Sequence, residues 1–328
     1  MKVSALIPTY NRREYVQRAI ESVRAQTVPV DEIVVVDDGS EDGTAGEIQD
    51  RFGSQVRLIR QANTGVSGAR KTAVREARNE WVAFLDSDDE WTPERNRVFK
   101  EAANDLPSDV AWIFGDVSII QDRGDTQTIY QKFGLHLDQN LKIFEDSIAV
   151  QHPFQFGLLQ GSMIRRDALI EVDAFGAGLQ HSEDYLTGVQ VACRYRFAAI
   201  PGVVTRLSRT SDLKASSLDL KGRNSADYYR ARMIACSLIV QTGRNDRWDE
   251  FYADAVRGLC KVYAENGTPF RGVSFDQFRY GITMKSILFQ CAAVFGRPGL
   301  AAWRMVGRGF HGIRGEETTS RYGLGANL

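Results

Sequence analysis

The chain has 328 residues, of which 43% are hydrophobic and 25% are charged. This composition suits one large or two modest globular domains with an ordinary buried core, and it excludes a disordered or fibrous protein. The formal net charge is −1. A protein so nearly neutral has no overall attraction to nucleic acid, so we expect no nucleic-acid partner.

Four widely spaced cysteines complete this first survey: Cys193, Cys236, Cys260 and Cys291. They form no CxxC pair or Cys/His cluster, which argues against a zinc site or a disulfide scaffold. The apolar run at the N-terminus is too short for a signal peptide, and no run reaches the roughly 18 apolar residues of a membrane span. These features predict a cytoplasmic location.

The first hundred residues alternate regularly between strand and helix patterns. Apolar runs predict strands at 3–7, 32–36, 56–60 and 81–85, and helical spacing predicts helices at 13–26, 45–52 and 68–78. Pro93 suits the first turn of a further helix. Such alternation predicts an α/β fold with a mostly parallel, doubly wound sheet.

The alternation weakens after about residue 108. Strand patterns occur at 110–114, 117–120 and 158–164, and helical patterns occur at 184–196, 228–242 and 249–265. From about residue 218 the chain is mainly helical in pattern. We therefore expect the second half to build a different part of any site formed by the first.

The acidic run 86–89 follows the fourth predicted strand directly. Ligands of doubly wound sheets bind beyond the carboxyl ends of the strands, where this run lies. Asp86 and Asp88 alternate along an extended segment, so both side chains can face one cation, and oxygen ligands suit magnesium or manganese. The alternative is an acidic turn that caps the helix near Pro93.

Two other strand ends also carry polar residues. Asp38 could accept the imide N–H of a uracil ring, and Gly39 permits a tight turn beside it. Tyr10 could stack on a base, and Arg12 could pair with phosphate. Both segments can alternatively be ordinary turns, with Asn11 as a helix cap.

Four segments, in this order and spacing, resemble the family 2 glycosyltransferases of the GT-A fold: PTYNR (8–12), VDDGSEDGT (36–44), NTGVSGAR (63–70) and FLDSDDEW (84–91). The resemblance continues through 165–170, 174–176 and the ED motif at 182–186, and it covers about residues 1–210. It implies a GT-A domain at 1–217, with a nucleotide-sugar half (1–108) and an acceptor half (109–217). Residues 218–328 would form a helical extension.

The resemblance also implies roles for individual residues. It places the nucleotide-sugar on Pro8, Thr9, Tyr10, Arg12, Asp38, Gly39, Asn63, Arg70, Asp86 and Ser87. Among these, Arg70 would approach the diphosphate and Asp86 would meet the ribose or the donor sugar. Asp88, together with Asp86, would bind Mn²⁺ or Mg²⁺.

Asp184, with Glu183 beside it, is implied as the catalytic base. Inversion at the anomeric carbon needs a group that accepts the proton of the attacking hydroxyl, and a carboxylate suits that role. The alternative is two acids in the first turn of a helix capped by Ser182, which is common in any protein.

The chain departs from the family pattern in two places. Lys71 stands where the family often has Asn, and no histidine follows the ED motif at 206–211, where the family often has one. Arg209 could replace that histidine as a phosphate clamp. His152 and His181 could each touch a sugar hydroxyl, or they could be ordinary loop histidines.

The segment 277–315 has no Asp or Glu, and its six basic residues are Arg279, Lys285, Arg297, Arg304, Arg308 and Arg314. Apolar residues at helical spacing make 279–314 a predicted basic amphipathic helix. Such a helix suits either peripheral contact with the inner face of the cell membrane or docking on the catalytic domain.

These features together predict a metal-dependent, inverting glycosyltransferase. It would move a hexose or N-acetylhexosamine from a UDP-sugar to a saccharide or lipid-linked saccharide, in cell-surface polysaccharide synthesis. One alternative is a sugar-phosphate nucleotidyltransferase, which would normally carry a glycine-rich phosphate loop near residue 10. The other is a non-catalytic module that binds nucleotide-sugars.

Overall fold

The computed structural model describes residues 1–121, 126–137, 141–152, 155, 157–209 and 226–243, together with positions 251, 255, 258, 259 and 262, which are helical. The strands are β1 (Val3–Thr9), β2 (Glu32–Asp37), β3 (Arg57–Arg60), β4 (Trp81–Phe84), β5 (Glu90–Trp91), β6 (Val110–Gln121), β7 (Thr126–Thr128), β8 (Lys142–Phe144), β9 (Ser162–Arg165) and β10 (Arg196–Arg209). The helices are α1 (Arg13–Arg24), α2 (Thr44–Phe52), α3 (Gly65–Glu76), α4 (Arg95–Ala103), α5 (Ile129–Phe133), α6 (Ser147–Gln151), α7 (Arg166–Glu171), α8 (Glu183–Ala192) and α9 (Ala226–Gln241).

All ten strands belong to one sheet in the order β3-β2-β1-β4-β9-β6-β10-β5, with β7 beside β6 and β8 beside β10. Strands β1 to β4 are parallel to one another, because a helix returns the chain after each of the first three. Strand β9 is antiparallel to both β4 and β6, whereas β6 and β10 are parallel. The predicted α/β fold is confirmed, and its second half is a mixed sheet.

Both faces of the sheet are buried. Along β1, Leu6 packs into a hydrophobic cluster with α3 and α8, whereas Ala5 and Ile7 pack on the other face against α1 and α2. All seven residues of β1 are buried. Burial on both faces explains why these strands are continuous apolar runs in the sequence.

Helix α9 packs on α8 as part of the same core. Its Ala231, Ala235 and Ile239 belong to the cluster that contains the α8 residues, and Asp227 accepts a hydrogen bond from the Gln180 backbone N–H at 2.7 Å. No helix in the described part of the chain has the length and apolar character needed to cross a bilayer. The predicted segment 279–314 lies outside the described residues.

Several element boundaries differ from the sequence prediction. The patterns at 110–114 and 117–120 belong to one strand, and 158–164 divides into a 3-10 turn at Leu159–Gly161 followed by β9. The fourteen-residue strand β10 was not predicted. Its register shifts near Pro201 and Gly202, two residue types that interrupt regular strands, so the alternation of a regular strand is lost there.

Candidate active site

The loops after β1 and β2 are joined by hydrogen bonds. Asn11, in the left-handed region with φ 50°, donates its backbone N–H to Ser40 Oγ at 2.9 Å and accepts from the Glu41 backbone N–H at 2.9 Å. Asp38 N–H donates to the Thr9 carbonyl at 2.9 Å. Two of the predicted donor-binding segments therefore form one rigid surface.

Asp38 lies between this surface and the start of α3. Its carboxylate accepts hydrogen bonds from Gln61 Nε2 at 2.7 Å, Thr64 N at 3.0 Å and Gly65 N at 2.8 Å, and the residue is only 3% exposed. These bonds satisfy backbone donors that the first turn of a helix leaves unpaired. A uracil imide would have to share this carboxylate with the helix.

The remaining residues predicted to bind the nucleotide-sugar differ in how far they are exposed to solvent. Tyr10 is 46% exposed, which leaves its ring accessible for stacking. Asn63 is also exposed, in the loop before α3. Gly39, in the loop after β2, lies close to the loop before α3, since a Cβ at this position would lie 3.0 Å from Asn63 N. Pro8 and Thr9 are buried at the end of β1.

The DxD segment, residues 86–89 with Asp86 and Asp88 as its two alternating aspartates, follows β4. Asp86 Oδ1 accepts from Arg70 Nη2 at 2.7 Å and Oδ2 accepts from Gln160 Nε2 at 2.6 Å, so both oxygens have protein donors. Asp88 Oδ2 lies 3.6 Å from Arg12 Nη1. The two carboxylates thus differ: Asp86 is held by Gln160 and by Arg70 of α3, whereas Asp88 pairs with Arg12 in the loop after β1.

The other residues of this segment are buried. Ser87 is 8% exposed and Asp89 is 1% exposed. Asp89 Oδ1 accepts from the Ser208 backbone N–H at 3.0 Å, which ties the segment to β10. The buried Asp89 therefore anchors the segment that carries Asp86 and Asp88.

Arg70 connects the DxD segment to α8. Its guanidinium also pairs with Glu183, and both residues are nearly buried, at 4% and 7% exposure. Burial lowers the pKa of Arg70, but the carboxylates of Asp86 and Glu183 outweigh burial and raise that pKa above its ordinary value. Burial raises the pKa of Glu183 to about 7, although Arg70 acts in the opposite direction.

Asp184, the next residue, has different hydrogen-bond partners from Glu183. Its Oδ1 accepts from the Tyr185 backbone N–H at 2.8 Å, and its Oδ2 accepts from Gln155 Nε2 at 3.1 Å. The side chain is partly exposed. Of the two acids at the start of α8, Glu183 is a buried partner of Arg70, and Asp184 is the one accessible to a substrate.

The three residues predicted as acceptor or phosphate contacts lie in different surroundings. His152 is 2% exposed and its Nδ1 is hydrogen-bonded to the Tyr185 hydroxyl, while burial and the nearby Arg232 lower its pKa to about 3. His181 is exposed on the loop before α8. Arg209 ends β10, and its side chain lies outside the described part of the chain.

Sequence reasoning missed Gln160 and Gln155. Each donates its side-chain amide to one of the predicted carboxylates, Asp86 and Asp184 respectively. Glutamine has no motif of its own, and both contacts join residues that are far apart in the chain, 74 positions for Gln160 and Asp86 and 29 for Gln155 and Asp184.

The residues at the DxD segment fit a magnesium or manganese ion that is completed by substrate oxygens. Within the described residues no group of three or more His, Cys, Asp or Glu side chains could hold a metal. Magnesium is commonly held by one or two carboxylates plus phosphate oxygens and water. Both Asp86 oxygens accept from protein donors and Asp88 pairs with Arg12, so a cation would share each carboxylate with these groups.

A mixed sheet whose first four strands are parallel, with a DxD segment at the end of β4 and an acidic helix start beside it, is typical of the GT-A class of fold. The sequence model of glycosyl transferase family 2 matches residues 4–173, and the chain belongs to this family. The predicted family and enzyme class, glycosyltransferase, are therefore confirmed.

Three known proteins illustrate the similarity. The succinoglycan biosynthesis protein ExoO of Rhizobium meliloti is 30% identical over 204 residues, covering 61% of this chain and 58% of ExoO. The UDP-Glc:alpha-D-GlcNAc-diphosphoundecaprenol beta-1,3-glucosyltransferase WfgD of Escherichia coli is 32% identical over 121 residues, covering 37% of this chain and 47% of WfgD. The aligned part thus spans about half the length of these curated relatives.

The crystal structure of S. aureus TarS 1-349 in complex with UDP-GlcNAc superposes with a TM-score of 0.60 and 19% identity, covering 90% of this chain and 82% of that one. At this identity the likeness supports the GT-A fold alone.

Proposed function

We propose that this protein is an inverting glycosyltransferase that moves a hexose or N-acetylhexosamine from a UDP-sugar, with a divalent metal, to a saccharide acceptor. One observation carries the proposal: Asp86 and Glu183 bind the same guanidinium, that of Arg70. A single side chain thereby brings the DxD segment next to the helix that presents Asp184. A donor site and a base on opposite sides of the reacting carbon are what inversion requires.

The donor proposal draws on the loops after β1 and β2. Tyr10 offers an exposed ring for a base, and Asp38 offers carboxylate oxygens at a rigid strand end. The TarS structure holds UDP-GlcNAc and the name of WfgD specifies UDP-Glc, so these two nucleotide-sugars are the first to test.

In the proposed reaction, the chain's own residues orient the donor and remove one proton. Asp88, with Asp86 behind it, would hold the metal, and the bound metal would neutralise charge that develops on the leaving diphosphate. Arg70 fixes Asp86 and Glu183, so the strand end and the start of α8 keep their separation. Asp184 would accept the proton of the acceptor hydroxyl as that oxygen attacks the anomeric carbon.

The acceptor proposal rests on the relatives. The names of ExoO and WfgD refer to succinoglycan biosynthesis and to a diphosphoundecaprenol acceptor. We therefore infer a saccharide acceptor, with a lipid-linked saccharide as its first form to test, in cell-surface polysaccharide synthesis. The basic segment 279–314 would suit contact with an anionic membrane.

The test is UDP release from a set of UDP-sugars, measured with Mn²⁺ and with a chelator, in the presence of water alone or of added saccharides. Asp184→Asn and Asp88→Ala are expected to abolish turnover, whereas Asp105→Asn, at an exposed site after α4, should retain it. Turnover that persists in both site variants would refute the roles assigned to these residues. Binding of UDP-sugars without turnover in any condition would instead favour a non-catalytic binding module.

A further inference from the structure

The predicted base Asp184 has a partner from a distant part of the acceptor half. Gln155 donates its side-chain amide to Asp184 Oδ2 at 3.1 Å, and its own backbone N–H donates to the Gln151 carbonyl at 3.1 Å. Gln155 has φ 51°, in the left-handed region that costs a non-glycine residue free energy. The fold holds this residue in an unfavourable conformation, and that conformation aims its side chain at Asp184.

Gln151 and His152, which precede Gln155 in the chain, contact the same helix. His152 Nδ1 is hydrogen-bonded to the Tyr185 hydroxyl. Gln151 is fully buried against Gly188, where an added Cβ would lie 2.8 Å from Gln151 Cδ. Gln151, His152 and Gln155 therefore contact α8 at positions 188, 185 and 184, and these contacts set the position of Gln155 relative to Asp184.

These contacts fix the plane of the Asp184 carboxylate. One oxygen accepts from the Tyr185 backbone N–H and the other from Gln155. A carboxylate oxygen has two lone pairs, so each oxygen retains capacity for one more donor. A general base must present a lone pair to the proton that it removes, and small errors in that geometry lower the rate strongly.

We propose that Gln155 is a positioning residue for the reaction: it orients the Asp184 carboxylate so that an Oδ2 lone pair faces the attacking hydroxyl. The role rests on the proposed function, since it requires Asp184 to act as the base. Gln155 acts through Asp184, and it is not itself assigned a contact with the donor.

The contact can be tested without turnover. The side-chain amide resonances of Gln155 are identified as those lost from the nitrogen–proton NMR spectrum of the full chain in Gln155→Met. Asp184→Ala is expected to shift these resonances, and Asp105→Asn should leave them in place. Unshifted resonances in Asp184→Ala would overturn the proposal whatever the activity of the protein.

The kinetic test uses UDP release from UDP-GlcNAc and UDP-glucose with Mn²⁺ and water as the acceptor. Gln155→Met should lower kcat about tenfold or more while the donor KM and the Kd for UDP change less than about twofold. Gln155→Glu, of the same shape, should lower kcat further because it places a second carboxylate beside Asp184. Gln190→Met is the matched control, because Gln190 lies near the other end of α8 and donates to the Val172 carbonyl.

The outcomes separate the two proposals. An active wild-type protein with unchanged kcat in Gln155→Met overturns the role of Gln155 alone. A fall in kcat matched by an equal change in donor KM also overturns it, because a general disturbance of the site would produce that pattern. A wild-type protein that releases no UDP from any donor overturns the proposed function, and the role of Gln155 with it.

Discussion

Arg70 of α3 and Glu183 of α8 form a buried ion pair although 113 positions separate them in the chain. The same guanidinium binds Asp86 at 2.7 Å. One cation therefore pairs with two carboxylates, Asp86 after β4 and Glu183 at the start of α8. This pairing joins the DxD segment to α8.

The first prediction concerns the loss of this cation. Arg70→Met should destabilise the protein by about 3–5 kcal/mol, because it removes the charged partner of the buried Glu183 and one of the donors to Asp86. Glu183→Gln should cost less, since the amide oxygen can still accept from Arg70. Urea unfolding at neutral pH measures both changes.

The matched control is Arg97→Met on α4, which removes exposed pairs with Glu94 and Glu101. Pairs of this kind contribute at most about 1 kcal/mol each. If Arg70→Met lowers the free energy of unfolding no more than Arg97→Met does, the pairing of Arg70 with Asp86 and Glu183 is not a main determinant of stability.

The second prediction is a pH dependence that originates at Glu183. Burial raises its pKa in the folded protein to about 7 from an ordinary value of 4.5, with Arg70, Asp184 and Asp86 as its charged neighbours. Between these two pH values the folded state retains a proton that the unfolded chain releases. This group therefore stabilises the fold below about pH 4.5, and that contribution is lost as the pH rises through about 7.

Glu183→Gln removes the titrating group and retains its shape. The difference in unfolding free energy between Glu183→Gln and the wild type should therefore grow in favour of the variant as the pH rises from about 5 to about 7.5. Urea unfolding at a series of pH values measures this difference. A constant difference across the series would show that the pKa of Glu183 is not raised.

The first half of the fold could be predicted from the sequence because local patterns determine it. Strands such as β1 are buried on both faces, so each is a short apolar run that ends where polar loop residues begin. Strand β10 could not be predicted in this way, since Pro201 and Gly202 interrupt it and its pairing with β6 shifts register there. The two parts of β10 are joined by their common pairing with β6, a tertiary contact that local patterns do not reveal.

The same distinction applies to the candidate site. The carboxyl ends of parallel strands meet at one edge, so the sequence could indicate that the loops containing Tyr10, Asp38 and Asp86 lie together. It could not indicate that Gln160 and Arg70 occupy both oxygens of Asp86, because each comes from another element. Which partner a buried charged group takes is decided by tertiary packing.

The third prediction concerns His152. Burial, with a contribution from Arg232, lowers its pKa to about 3 in the folded protein from an ordinary value of 6.5. The folded state then keeps the ring neutral while the unfolded chain binds a proton, so the stability from this group is present above about pH 6.5 and is lost as the pH falls toward 3. Below about pH 6 the loss approaches roughly 1.4 kcal/mol per pH unit.

Two variants isolate this effect. His152→Asn keeps a polar atom near the Nδ1 position without the titration, so its unfolding free energy should fall less steeply with acid than that of the wild type. Tyr185→Phe removes the hydroxyl that is hydrogen-bonded to His152 and leaves the imidazole in place. It should therefore lower stability without making the acid dependence shallower. Equal slopes for His152→Asn and the wild type would contradict the prediction.

The last prediction compares two glycines with nearly the same backbone conformation. Gly39 has φ 84° and Gly43 has φ 86°, but only at Gly39 would a Cβ meet backbone, lying 3.0 Å from Asn63 N. At Gly43 the nearest atom is Arg13 Nη1 at 4.0 Å, the end of a flexible side chain. Both alanine variants incur the cost of a left-handed backbone, about 1 kcal/mol, and only Gly39→Ala must also displace the loop before α3.

That loop supplies the Thr64 and Gly65 N–H groups that bind Asp38, so its displacement reaches the proposed uracil site. Gly39→Ala should therefore be less stable than Gly43→Ala by about 1 kcal/mol and should bind UDP about tenfold more weakly, whereas Gly43→Ala should keep the wild-type affinity. Thermal unfolding and UDP calorimetry on both variants make the comparison. Equal UDP affinities for the two variants would show that the contact between Gly39 and Asn63 does not shape the nucleotide site.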